Sequence, residues 1–129
     1  MKINPVVHFE MPAKDKKRVA KFYKKAFGWK MEHLGKKMGD YVLATTTPLA
    51  KNGMPKNPGA INGGFYKRGK DGTVPHLVIA VDDLADHIDV VIKAGGTIVG
   101  EPMDIPGIGK FVMFKDSEDN KVGMLQPLM

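Results

Sequence analysis

Apolar positions along this chain follow two periods in turn, and the same order of periods is run through twice. Residues 6–11, VVHFEM, are rich in β-formers and stop at Pro12, which reads as a strand. The spacing then changes. Val19, Phe22, Tyr23 and Ala26 fall at i, i+3, i+4 and i+7, one apolar stripe of a helix, and Lys14, Lys16, Lys17, Lys21, Lys24 and Lys25 mostly take the other faces. Gly28 stops that helix. Strand-like stretches follow at 29–34, 41–46 and 60–67, with a long loop rich in proline and glycine at 47–59.

The second half repeats the order. A strand at 76–81 leads to Asp82 or Asp83, either of which is placed to cap a helix. Leu84, Ile88, Val91 and Ile92 form its apolar stripe, and Asp82, Asp83, Asp86 and Asp89 crowd its first turns, where the helix dipole favours negative charge. Gly95-Gly96 ends it. Strands follow at 97–99, 110–115 and 122–126, with a turn at 116–120. The stretch 102–109, rich in proline and glycine, reads as a connection and a lid candidate. Residues 69–73 read as a polar linker.

The likeness of the halves extends to identities. A shift of 68 residues places Val6 on Val74, His8 on His76, Asp15 on Asp83, Lys25 on Lys93, Ala26 on Ala94 and Gly28 on Gly96. With the shift grown to 70, Tyr41 falls on Phe111 within matching strands. The expected fold is therefore α+β: one domain over 1–129, made of two tandem βαβββ units at about 4–68 and 74–128. One helix leaves the other face of a four-stranded sheet uncovered. Two such units, in one chain or across a dimer, can curl their sheets into a cup around a ligand.

Composition trims the possibilities. The 129 residues contain no cysteine, which excludes disulfides, thiol nucleophiles and Cys-ligated metals. No apolar run is long enough to span a membrane, and the first residues lack a signal-peptide core, so the expectation is a cytoplasmic protein without a membrane partner. Net charge is +6, but residues 1–37 carry eleven Lys and Arg against three acids, so the excess belongs to one segment. It reads as the solvated face of the first helix. No aromatic residues are interleaved for base stacking, so no nucleic-acid partner is expected.

The residues His8, Asp15, Phe22-Tyr23 and 26–28 in the first unit, with 76–82, 93–96 and 114–120 in the second, give the chain a resemblance to the vicinal oxygen chelate superfamily. That superfamily includes glyoxalase I, bleomycin-resistance proteins and extradiol dioxygenases. His8-Phe9-Glu10, Pro12 and Ile61-Asn62-Gly63-Gly64 are similar to its small glyoxalase-like branch. The resemblance implies a homodimer, a small-molecule ligand and a divalent metal ion (Ni, Zn, Fe or Mn) in a cup, with His8 and His76 as first-strand ligands. Such a metal acts as a Lewis acid on an oxygenated substrate. The last-strand ligands that the resemblance implies are carboxylates, and here those positions carry Asn62-Gly63-Gly64 and Gly123.

Two function classes stay open. One is a lyase or isomerase of an oxygenated metabolite, with Glu10 as catalytic carboxylate; it lies two residues from His8 on one strand face, so both point the same way. The other is a non-catalytic sequestering protein of the bleomycin-resistance type. Ligand contacts are expected from His8, His76, Asn62, Phe111 and Met113. Trp29, Phe65 and Met124 fit either a pocket wall or core packing. Gly63, Gly64 and Gly123 mark close approach of a backbone or ligand and would widen a cup.

Overall fold

The computed structural model describes residues 2–69 and 73–128. Lys70, Asp71 and Gly72 of the expected linker lie outside the described residues. The element order is β1 (Val6–Ala13), α1 (Lys16–Phe27), β2 (Lys30–His33), β3 (Val42–Thr45), β4 (Asn62–Lys67), β5 (His76–Ala80), α2 (Leu84–Lys93), β6 (Thr97–Ile105), β7 (Gly109–Lys115) and β8 (Lys121–Pro127). This is βαβββ twice over. One compact unit spans His8–Pro75, and the other starts at His76 and includes the N-terminal segment up to Val7.

In the first unit the strand order is β2-β3-β4-β1. β1 and β4 run parallel, with His8 beside Asn62, Glu10 beside Gly64 and Met11 beside Phe65. β3 runs antiparallel to both neighbours. Strand alternation sorts the side chains. Phe9, Met11 and Ala13 face α1, where they meet buried Val42, Ala44 and Phe65 together with Val19, Tyr23, Trp29 and Met31. Burying Phe65 alone contributes about 1.5–3 kcal/mol. Tyr23 stacks on Trp29 at 4.6 Å, so the helix is fixed to the sheet by rings.

α1 starts where Asp15 accepts a hydrogen bond from the Arg18 N–H at 3.0 Å, and it ends on Gly28. Its apolar stripe differs from the expected one. Val19 and Tyr23 pack inward with Ala20, whereas Phe22 is 57% exposed. Ala26 is exposed as well, and Ala20 is the buried residue of the helix, so the inward face is turned toward Val19, Ala20 and Tyr23. β1 also continues through Pro12, because the parallel pairing with β4 runs on to Ala13.

The second unit has the order β5-β8-β7-β6. Its core is Val81, Leu84, Val112 and Met124, with Ile88, Val91, Ile98 and Phe114 against them. Asp83 caps α2 by accepting from Asp86 N–H at 2.9 Å, and the Gln126 amide oxygen accepts from Leu84 N–H at 2.8 Å. Ile92, expected in the stripe, is 53% exposed. The 102–109 connection is not loose. β6 runs to Ile105 and pairs with β7 as a hairpin, Met103 beside Phe111 and Ile105 beside Gly109. An irregularity between Val99 and Met103 lets the strand absorb Pro102.

Candidate functional site

The polar face of the first sheet is built from the residues that alternate away from its core. His8 and Glu10 lie on it, both half-buried, as expected from their spacing. Between them stands a residue that the sequence reading did not single out. The Tyr41 hydroxyl lies 3.0 Å from His8 Nε2, and its ring covers Gly64, the strand partner of Glu10, so the phenol and the carboxylate share this face.

Local structure delivers Tyr41 to this place. A 3-10 turn at Lys36–Met38 is followed by Gly39 (φ 65°) and Asp40 (φ 56°), two left-handed residues in a row that reverse the chain. The Tyr41 carbonyl then accepts from Leu34 N–H at 2.8 Å, which holds its backbone beside β2. The ring lies flat over Gly64. A methyl at Gly64 would fall on the Tyr41 Cε2, Cζ and Oη atoms, so only glycine leaves room. Gly63, on the opposite face, makes room for the Phe9 ring in the same way. These glycines therefore do not widen a cup. Aromatic rings fill the space they leave.

The electrostatics follow from burial. Desolvation pushes the Tyr41 phenol far above its ordinary range, with the Glu10 charge and hydrogen bond adding to the effect. Tyr66 is raised for the same first reason, burial, and then by Glu10. Its hydroxyl donates to the Val74 carbonyl at 2.7 Å. Both phenols stay protonated at neutral pH, and the Tyr66 proton is committed to the Val74 carbonyl.

Asn62 lies beside His8 in register, but its amide oxygen is engaged. It accepts from Thr46 N–H at 2.7 Å and Thr47 N–H at 3.0 Å, closing the end of β3. In the second unit, His76 opens β5, half-buried, and Val78 follows it on the same face. Gly123 pairs with Val78 on one side and Met113 on the other. A Cβ at Gly123 would stand 2.7 Å from the Phe111 ring, so Phe111 and Met113 share this face with Gly123. Trp29, Phe65 and Met124 belong to the two cores instead, which corrects the alternative of a pocket wall for them.

The donor set does not suit a metal. Among the described residues no group of three or more His, Cys, Asp or Glu side chains gathers to hold an ion. The last-strand positions present a committed amide oxygen and glycines covered by rings, and His8 Nε2 is spent on Tyr41. Two His with one carboxylate would be the minimum for an open site of this type. Tyr41 was legible only as half of a repeat pair with Phe111; the added hydroxyl was the available signal.

Two βαβββ units in tandem, each with one helix on its strands, define a class of small α+β proteins. The chain belongs to the Glyoxalase/Bleomycin resistance protein/Dioxygenase superfamily, whose family model matches residues 6–124. It is 32% identical over 119 residues to a glyoxylase-like domain-containing protein of Didymella fabae, covering 86% of this chain and 84% of that one. Among solved structures, it is similar to a Streptomyces coelicolor methylmalonyl-CoA epimerase in complex with 2-nitronate-propionyl-CoA. That match has a TM-score of 0.70 at 14% identity over 99% of this chain and 100% of the other. The Mycobacterium tuberculosis methylmalonyl-CoA epimerase gives 0.65 at 15% identity, over 96% of this chain and 88% of the other. At such identities the two structures speak for the fold alone. Among the described residues no helix is long and apolar enough to cross a membrane.

Proposed function

We propose that this protein binds a small oxygenated metabolite and acts on it as a lyase or isomerase by proton transfer, without a bound metal. The observation that carries the reading is the Tyr41 hydroxyl 3.0 Å from His8 Nε2, on the face that also carries Glu10. A carboxylate of fixed orientation beside two protonated phenols is a competent proton acceptor. Burial keeps Tyr41 protonated, so its part is to donate a hydrogen bond and hold Glu10 in place. His8 supplies the third polar group. His76, Phe111 and Met113 offer a mostly apolar second set of ligand contacts. Assembly as a homodimer belongs to the same proposal.

Solvent-deuterium exchange followed by proton NMR tests the reading. The probes are 2-oxo acids, 2-hydroxy acids and acyl thioesters, the last suggested by the ligand of the epimerase structures. Exchange at a carbon next to a carbonyl, lost in Glu10→Gln, is the expected result. Binding in a thermal-shift screen with no exchange would favour the sequestering alternative. Neither binding nor exchange across the panel would overturn the proposal.

A further inference from the structure

The second unit serves as a control for the first. The repeat places His8 on His76 and Tyr41 on Phe111. Strand register supplies the rest, since Glu10 lies across from Gly64 as Val78 lies across from Gly123. Four equivalent positions thus hold His, Glu, Tyr and Gly in one unit, and His, Val, Phe and Gly in the other. In both, an aromatic ring is seated over the glycine. The second unit forms the same sheet without the hydroxyl or the carboxylate, so the fold does not require them. Burying a phenol and a carboxylate is costly unless they have partners, and in the first unit the register sets Glu10 beside the glycine that the Tyr41 ring covers, with His8 Nε2 3.0 Å from the hydroxyl.

Directionality follows from the chemistry of the three groups. An ionised carboxylate only accepts. The phenol is protonated and donates to it. The phenol oxygen then accepts from His8, which requires the proton to sit on Nε2. A metal bound at Nε2 needs the lone pair of that same nitrogen, so the two arrangements exclude each other. We infer that this chain has exchanged metal coordination at His8 for a directed hydrogen-bond chain from His8 Nε2–H through the Tyr41 hydroxyl to Glu10, with Tyr41, seated on Gly64, as the positioning residue.

The inference rests on the proposed small-molecule site, yet its test needs no ligand. Full-length, untagged, nitrogen-15-labelled protein at neutral pH is examined by long-range proton–nitrogen correlation of its imidazoles. His8 is expected as the Nε2–H tautomer, with an Hε2 proton in slow exchange with water. Tyr41→Phe should abolish the slow exchange while the protein stays folded, because Phe111 shows that phenylalanine fits over the equivalent glycine. Phe111→Tyr should create no such proton on His76, because Val78 offers no carboxylate. One equivalent of Zn²⁺ or Ni²⁺ should leave the His8 signals unmoved. An Nδ1–H tautomer, unchanged exchange in Tyr41→Phe, a slow proton gained in Phe111→Tyr, or stoichiometric metal binding that shifts His8 Nε2 would each overturn the inference. If it fails while the deuterium-exchange assay succeeds, the proposed function stands without it.

Discussion

Gly64→Ala tests the geometry on which the site depends. The added methyl has nowhere to go. It falls on the Tyr41 ring, and the neighbouring Val42 is fully buried, so the backbone that carries the ring cannot retreat. Overpacking of this kind costs about 1–3 kcal/mol. Displacing Tyr41 also breaks its hydrogen bond to His8, and leaving a buried polar group unsatisfied costs about 1–3 kcal/mol more. The expected loss is therefore about 2–6 kcal/mol in urea unfolding with an unchanged m-value. Gly35→Ala is the control. Nothing lies within 4 Å of a Cβ there and its φ is −78°, so the change should stay within about 0.5 kcal/mol of wild type. The decisive measurement is the double-mutant cycle. In a Tyr41→Ala background, Gly64→Ala should be neutral or slightly stabilising, since alanine loses less chain entropy than glycine in a strand. An equal cost in both backgrounds would refute the argument, because the clash would then not be with Tyr41.

Three further outcomes are expected. Because burial raises the Tyr41 phenol, the folded state keeps it protonated where the unfolded chain, with an ordinary value of 10.0, begins to ionise. Its contribution to stability is complete below that value and drains away above it, and the 295 nm absorbance difference between wild type and Tyr41→Phe should show no ionising phenol before alkaline unfolding. Asp116 is lowered from 3.8 by hydrogen bonds from the Asn120 side chain and from the Asn120 and Glu118 N–H groups. A depressed carboxyl stabilises above its ordinary value and stops doing so as pH falls through the folded value, so the stability gap to Asp116→Ala should close on acidification. Asp83→Ala should cost about 1 kcal/mol by uncapping α2, read as a lower urea midpoint, and helix-directed hydrogen exchange should locate the loss in its first turn.

The repeat, a cap for the second helix at Asp82 or Asp83 and the shared face of His8 and Glu10 were legible in the chain. Each depends on residues a few positions apart, where periods of 2 and 3.6 decide direction. Helix burial was legible only in part. Phe22 and Ile92 satisfy the apolar spacing yet stand exposed, because the width of the surface that a helix meets is set by the sheet. The 102–109 segment read as a connection because Pro102, Pro106, Gly107 and Gly109 are strand breakers locally, and over 103–105 pairing with β7 overrides that.

By itself the sequence determined that the chain is α+β, that it is duplicated, and that His8 and Glu10 share a face, since local spacing is enough for all three. Tertiary structure decided what those residues do. Tyr41 reaches them from thirty-odd positions away, through a reversal at Gly39 and Asp40, and it rests on Gly64 from another strand. A contact between a ring and an absent side chain leaves no periodic trace. Only the paired registers of β1, β3 and β4 bring the phenol, the carboxylate and the imidazole onto one face, with the phenol 3.0 Å from the imidazole.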